Sequence, residues 1–262
     1  MKLIDSHCHL PTNLREAELT LERAKLEGIE KVVNVGTSLK DSEEAKLLNS
    51  IYKEALHTVG IYPQEERHFS IEILKEKLQN LINSQPRPIA IGECGIDIQE
   101  NYDNTPLQRQ VELFKMQIEL AIYNKLPLII HNRGGDEVIL KILEAYRDRL
   151  VDRSLKAVVH CFSSEQEIAE RFIKLGTYLS FTGMITYQTK SHLLEVIKMI
   201  PLDKIMLETD SPYLTPNPFR KEINEPKYVK IVAQKVAETI NQPIEYVCQK
   251  TYENTVCFFN LP

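Results

Sequence analysis

No window of this 262-residue sequence approaches the run of about 18 unbroken apolar residues that a membrane-spanning helix needs. The N-terminus also lacks a basic segment leading into an apolar core, so no secretory leader is expected and a cytoplasmic protein is the default. An excess of positive charge is missing as well. The net charge of −5 and a pI near 5.9 argue against bulk electrostatic binding to nucleic acid, but they leave room for one phosphate-binding cleft. The five cysteines are odd in number and widely scattered, which fits a reducing compartment rather than a disulfide framework. Repeats, linkers and low-complexity tracts are absent, and so is the glycine-rich first turn of a dinucleotide-binding sheet.

What the chain does have is ordinary globular composition, 43% hydrophobic and 26% charged, arranged in a regular alternation. Short apolar runs recur at residues 3–4, 31–35, 56–60, 88–93, 126–131, 156–160, 177–181 and 204–208. They are rich in Val, Ile and Leu without polar alternation, as parallel strands covered on both faces would be. Helical patterns separate them at 16–26, 41–53, 71–82, 108–123, 138–150, 165–175 and 192–199, with a last barrel helix at 228–240. Asp41 and Ser164 are placed as N-caps, and Gly28 and Gly176 as stops. Pro212, Pro216, Pro218 and Pro226 predict an extended loop over 211–226, and residues 244–259 a C-terminal helical appendage. Eight strand–helix alternations without a break in composition indicate one α/β domain over residues 1–262, a (β/α)8 TIM barrel.

The strand ends carry the chemistry. Strand one runs into Asp5-Ser6-His7-Cys8-His9, where side chains two apart point the same way. Strand four ends in Glu93, strand five in His131 and strand six in His160, while strand eight leads into Glu208-Thr209-Asp210. Taken singly, each has a bland alternative: a chance surface histidine, a buried acid paired with lysine, a satisfied core histidine, a turn-forming aspartate. A barrel of this kind brings all its C-terminal strand ends to one mouth, so His7, His9, Glu93, His131, His160 and Asp210 converge as candidate metal ligands. Six ligands oversupply one catalytic zinc, which points to two ions with a carboxylate able to bridge them. Cys8, Cys94 and Cys161 each follow a candidate ligand, and alternation turns them away beneath the helices as small core residues. Cys248 and Cys257 lie in the terminal helix and carry no signal.

These motifs together resemble the TatD family of metal-dependent hydrolases, within the amidohydrolase-type barrels. The resemblance runs from Asp5 to Leu10, Ile91 to Asp97, Pro127 to Arg133, Val159 to Ser163, Leu207 to Leu214 and Asn224 to Pro226, in matching order. It implies that His7, His9 and Asp210 hold one ion and His131 and His160 a second, with Glu93 between. It also implies a phosphodiesterase acting on DNA, in the manner of a 3′→5′ exonuclease, using Mg²⁺ or a transition metal. Mixed imidazole and carboxylate ligands suit Zn²⁺, Mn²⁺ or Ni²⁺ better than Mg²⁺. DNA is then the expected partner; no membrane and no obligate protein partner are.

Four positions depart from the family's pattern. Gly60-Ile61-Tyr62-Pro63 puts tyrosine where the family usually has a substrate-facing histidine. Gly134-Gly135 replaces the usual Asp-Ala and should loosen that loop, and Gln188 stands where a basic residue is frequent.

The expected mechanism is attack by a metal-activated water on a phosphodiester. Asp210 would accept the water proton, Glu208 would orient the ligands from behind, and Glu93 would serve both ions. Arg133 is the candidate phosphate clamp, with Tyr62 and Ser163 as further substrate contacts and Arg220 and Lys221 available to track a nucleic-acid backbone. A second reading keeps the metals but cleaves an ester, lactone or amide of a small molecule. Glu93 stands where a carboxylated lysine would be needed in many such enzymes, which favours the phosphodiesterase branch. A third reading is a metal-binding scaffold without turnover.

Overall fold

Val, Ile and Leu fill the strand segments because neither face of the sheet meets water: helices cover one and the barrel interior the other. A computed structural model describes residues 1–98, 105–152 and 156–262. Its strands are β1 (Leu3–Cys8), β2 (Ile29–Asn34), β3 (Ala55–His57), β4 (Ile91–Asp97), β5 (Leu128–Arg133), β6 (Ala157–Val159), β7 (Tyr178–Phe181) and β8 (Ile205–Leu207). All pairings are parallel, in two arcs ordered β1-β2-β3 and β4-β5-β6-β7-β8. A parallel bridge between Val59 and Ile91 joins the arcs on one side. On the other, the Asp210 N–H donates to the His7 carbonyl at 2.9 Å and the Ser6 hydroxyl to the Leu207 carbonyl at 2.9 Å. The result is the (β/α)8 barrel that the alternation predicts.

The helices are α1 (Leu14–Leu26), α2 (Leu39–Ile51), α3 (Ile71–Asn83), α4 (Leu107–Asn124), α5 (Asp136–Asp152), α6 (Gln166–Lys174), α7 (His192–Met199), α8 (Val229–Ile240) and α9 (Ile244–Phe259). Two expected caps move. Ser38 caps α2 by accepting from the Asp41 N–H, which leaves Asp41 in the first turn, where its carboxylate accepts the Thr37 N–H at 2.8 Å. Ser164 instead donates its hydroxyl to Asp136 at 2.8 Å, and Glu165 precedes α6. Gly28 and Gly176 follow α1 and α6 with positive φ, as expected of stops.

Two apolar layers hold the molecule. One lies between strands and helices and contains Leu3, Ile91, Leu128, Val159, Phe114 and Phe172. The other is inside the barrel near the strand starts, where Ile4, Val33, Ala90, Ile129, Val158 and Met206 meet Phe258 and Phe259 of α9. The terminal helix is therefore a plug for the barrel floor rather than an appendage.

Two strands break strict alternation before they reach the mouth. β1 shifts register between Asp5 and Cys8, and β4 between Ile91 and Cys94. Such irregularities re-aim the side chains that follow. The 211–226 segment also differs from the extended course expected of its prolines. The Thr215 hydroxyl donates to the Glu222 carbonyl at 2.9 Å and the Asn224 amide to the Thr209 carbonyl at 2.8 Å, folding the loop back on itself. Among the described residues, no helix is long and apolar enough to cross a membrane.

Candidate metal centre

Bulged β1 delivers His7 and His9 to the mouth with their Nε2 atoms 3.4 Å apart. Asp210, held in left-handed backbone at φ 56° after β8, brings Oδ1 to 3.7 Å from His7 Nε2 and 3.6 Å from His9 Nε2. An aspartate tolerates that conformation better than most side chains. Glu93 then divides its carboxylate. Oε2 lies 3.5 Å from His7 Nε2, whereas Oε1 lies 2.6 Å from His131 Nδ1 and 2.9 Å from His160 Nε2. Those two imidazole nitrogens are 3.2 Å apart. Spacings near 3.3 Å are about the edge of a tetrahedron with bonds of about 2.05 Å, so the donor set is shaped for divalent ions.

Three triads each gather one donor atom per residue within 4.8 Å: His7–His9–Glu93, His7–His160–Asp210 and Glu93–His131–His160. The middle triad crosses the division drawn from the family resemblance. Its cause is the stacking of the His7 and His160 rings, 4.0 Å between centroids and 13° between planes, which makes the two nests adjoin.

The far ring nitrogens are anchored unequally. His9 Nδ1 lies 3.1 Å from the Val35 carbonyl, which fixes the proton there and leaves Nε2 free to face inward. His160 Nδ1 is 3.6 Å from Glu208, and His131 Nε2 is 3.3 Å from Asp97 Oδ2 though not aligned for a hydrogen bond. His7 Nδ1 has no hydrogen-bond partner among the described residues.

Burial of so many ionisable groups is costly unless they neutralise one another. Burial alone would raise the Glu93 pKa, but His160 and His131 outweigh it and hold the carboxylate well below its usual range. Burial would likewise raise Asp210, yet His9, His7 and His160 lower it. His160 is pushed down by burial and up, more strongly, by Glu93 and Glu208, ending well above the ordinary imidazole value. His7, with burial and the neighbouring His160 both acting against its charge, is lowered. A cluster in which acids stay ionised and imidazoles compete for protons is a cluster that a divalent cation would relieve.

Above these groups the mouth opens into a cavity of about 780 Å³ whose lining includes Tyr62, Arg133, Ser163, Lys190 and Tyr213. Arg133 and Lys190 make no side-chain hydrogen bond or ion pair among the described residues. Lys190 therefore brings a cation into the mouth two residues beyond Gln188, which is exposed and outside the lining. Glu208 lies beneath, buried, accepting the Cys161 N–H at 2.7 Å and the Ser180 hydroxyl at 2.7 Å. Arg220 and Lys221 do not line the mouth, and the Arg220 guanidinium stacks 4.0 Å over the Tyr187 ring.

Other expectations change. Cys8 and Cys94 are buried core thiols, but Cys161 lines the mouth. β6 has already ended at Val159, and Cys161 adopts left-handed backbone at φ 49°, so strand alternation no longer governs it. The Gly134-Gly135 loop is pinned rather than loose. The Gly135 N–H donates to Asn132 at 3.1 Å, and a Cβ at Gly135 would lie 2.6 Å from Ile96. Tyr62 reaches the mouth, but its hydroxyl donates to Asp97.

Asp5 and Asp97 are residues that motif reading passed over. Both are fully buried. Asp5 accepts the Thr209 N–H at 2.9 Å, and Asp97 has its N–H bonded to Gln110 at 2.8 Å and its carbonyl to Gln64 at 2.8 Å. The available signal was an acid inside an otherwise apolar strand, since an unpaired carboxylate there would be prohibitive.

The TatD related DNase family matches residues 4–260 of this chain. The chain belongs to that family. A relative from Bacillus subtilis, the uncharacterized metal-dependent hydrolase YabD, is 35% identical over 263 residues, covering 99% of each chain. The 3′-5′ ssDNA/RNA exonuclease TatD of Escherichia fergusonii is 28% identical over 245 residues, 91% of each chain. Among solved structures, the TatD homologue YjjV of Escherichia coli K12 superposes with a TM-score of 0.90 at 29% identity, over 99% of this chain and 98% of that one. As a member of the TatD family, the chain is a metal-dependent hydrolase on a (β/α)8 barrel.

Proposed function

We propose that this TatD protein hydrolyses phosphodiester bonds of DNA, working as a 3′→5′ exonuclease at a two-ion centre. In this reading His7, His9 and Asp210 hold one ion, His131 and His160 the other, and Glu93 serves both. The observation that carries it is the split of the Glu93 carboxylate, with one oxygen 3.5 Å from His7 and the other 2.6 Å from His131. Nuclease chemistry comes from the relative that bears the exonuclease name, and nucleic acid is accordingly the proposed partner. The barrel and α9 would act as one domain, in the cytoplasm, without an obligate protein partner.

Divalent ions, when bound, supply the Lewis acidity that acidifies a water and draws charge from phosphoryl oxygens; Zn²⁺, Mn²⁺ and Mg²⁺ are the candidates. The chain's own residues do the rest. Asp210, ionised and at the edge of the mouth, accepts the proton of the attacking water. Arg133 offers a planar fork to a non-bridging oxygen, and Lys190 adds a point charge to the same cavity. Glu208 keeps His160 and the turn at Cys161 in place from beneath. Ser163 lines the same mouth as a polar contact for the departing nucleotide.

The test uses protein stripped with a chelator, reloaded with Mg²⁺, Mn²⁺ or Zn²⁺, and offered a 5′-labelled single-stranded oligonucleotide. Metal-dependent shortening from the 3′ end that disappears in Asp210→Asn is the expected result. Turnover of a lactone or amide panel with the oligonucleotide left intact would replace this reading with the small-molecule one.

A further inference from the structure

We infer that Tyr62 is a positioning residue of the metal centre: its hydroxyl, acting through Asp97, and its ring together set the angle at which His131 presents Nδ1. The inference rests on the two-ion reading above and deepens it.

His131 is the one candidate ligand that faces the cluster through Nδ1, 2.6 Å from Glu93 and 3.2 Å from His160 Nε2. Its Nε2 must then carry the proton, and the carboxylate nearest to that nitrogen biases the ring's tilt by its charge rather than through an aligned hydrogen bond. That carboxylate is Asp97, 3.3 Å away on the same strand as Glu93. Asp97 is fully buried, and its main chain is held by Gln110 and Gln64. Its Oδ2, the atom nearest His131, accepts the Tyr62 hydroxyl. The Tyr62 ring also packs edge-on against the His131 imidazole, 4.7 Å between centroids at 70°. Tyr62 is in turn fixed by its own N–H, which donates to the Thr37 carbonyl at 2.7 Å.

One side chain thus touches both the ligand and the carboxylate behind it. Among the described residues, neither Tyr62 nor Asp97 contacts the far nitrogens of His9 and His160, which face the Val35 carbonyl at 3.1 Å and the Glu208 carboxylate at 3.6 Å. Removing the Tyr62 hydroxyl should therefore disturb one nest and spare the other. A general loosening of the barrel would disturb both.

The experiment titrates metal-free protein with Zn²⁺ by calorimetry, and with Co²⁺ by its visible absorption bands, in wild type, Tyr62→Phe and Asp97→Asn. The wild type should bind two equivalents. Tyr62→Phe should weaken one step by about tenfold to a hundredfold, the range for loss of a group behind a ligand, and leave the other within about twofold. Asp97→Asn, which keeps the shape but not the charge, should weaken the same step. Tyr123→Phe, at an exposed tyrosine of α4 outside the mouth, should change neither. Two unchanged steps in Tyr62→Phe, or two steps weakened alike, would overturn the inference while the two-ion reading stood. A wild type that binds only one equivalent would overturn that reading and this inference with it.

Discussion

Asp5 accepts the backbone N–H of Thr209 at 2.9 Å, and the Thr209 hydroxyl as well, across 204 residues of chain. The bond fastens β1 to the segment after β8 one residue before Asp210. It therefore closes the barrel seam and sets the spacing of two candidate ligand groups together. Asp5→Ala removes the acceptor of three buried donors, the Thr209 N–H and hydroxyl and the His7 N–H, at about 1–3 kcal/mol for each left unpaired. A lower urea midpoint with an unchanged slope is expected, together with weaker metal uptake. Asp5→Asn keeps one acceptor and should lose less. Equal midpoints for wild type and Asp5→Ala would show that the seam does not depend on this carboxylate.

Gly95 holds β4 against β5 where it pairs with His131. Its φ is 146°, and a Cβ there would be driven into the His131 carbonyl oxygen. Gly95→Ala should therefore cost stability through backbone strain, on the order of 1–3 kcal/mol, and should shift His131. The readouts are thermal midpoint and bound metal by elemental analysis. A variant that melts normally and binds as much divalent metal as wild type would contradict this close packing of β4 on β5.

His57 supplies a pH dependence remote from the mouth. It is buried, with Nδ1 3.0 Å from Asn49 Oδ1, and its pKa is lowered from 6.5 to about 4, first by burial and then by Lys46. A histidine with a depressed folded pKa binds its proton more readily when unfolded. Its contribution thus favours folding above pH 6.5, is lost progressively as pH falls from there, and stops changing below about 4. Two and a half pKa units correspond to about 3 kcal/mol as an order of magnitude. Other imidazoles titrate in the opposite direction, so the quantity to measure is the difference between wild type and His57→Gln in urea at pH 7.5, 6 and 5. That difference should shift in the variant's favour as pH falls. A constant difference would mean that His57 charges freely in the folded protein.

Arg133 and Lys190 should act on substrate affinity rather than on chemistry. Arg133→Gln and Lys190→Gln are each expected to raise KM for an oligonucleotide by about tenfold, the weight of one charge-assisted hydrogen bond, with kcat little changed. The penalty should shrink as salt rises, because salt screens the same contacts. Should kcat fall while KM holds, these cations would belong to the transition state instead.

Most of the architecture is legible in sequence because its cause is local. All eight apolar runs become strands, and the predicted helices form within a few residues of their expected ends, since a buried parallel strand and an amphipathic helix leave distinct periods in the chain. The Ser38 cap escaped because serine and aspartate are both favoured N-cap residues, and Ser38 and Asp41 stand only three positions apart. The Phe258–Phe259 plug escaped because two aromatics at a helix end look the same whether they cap a surface or fill a barrel.

The identity of the converging residues was likewise fixed by sequence alone: four histidines, Glu93 and Asp210 fall at strand ends, and any barrel carries strand ends to a common rim. Folding in three dimensions decided how they face one another. Bulges in β1 and β4 reset which side chains enter the mouth, Asp5 closes the seam, and Asp97 and Glu208 lie behind the imidazoles. Side-chain period is a property of neighbouring residues, whereas bulges and proton-directing carboxylates are settled by groups that meet only after the chain has closed on itself.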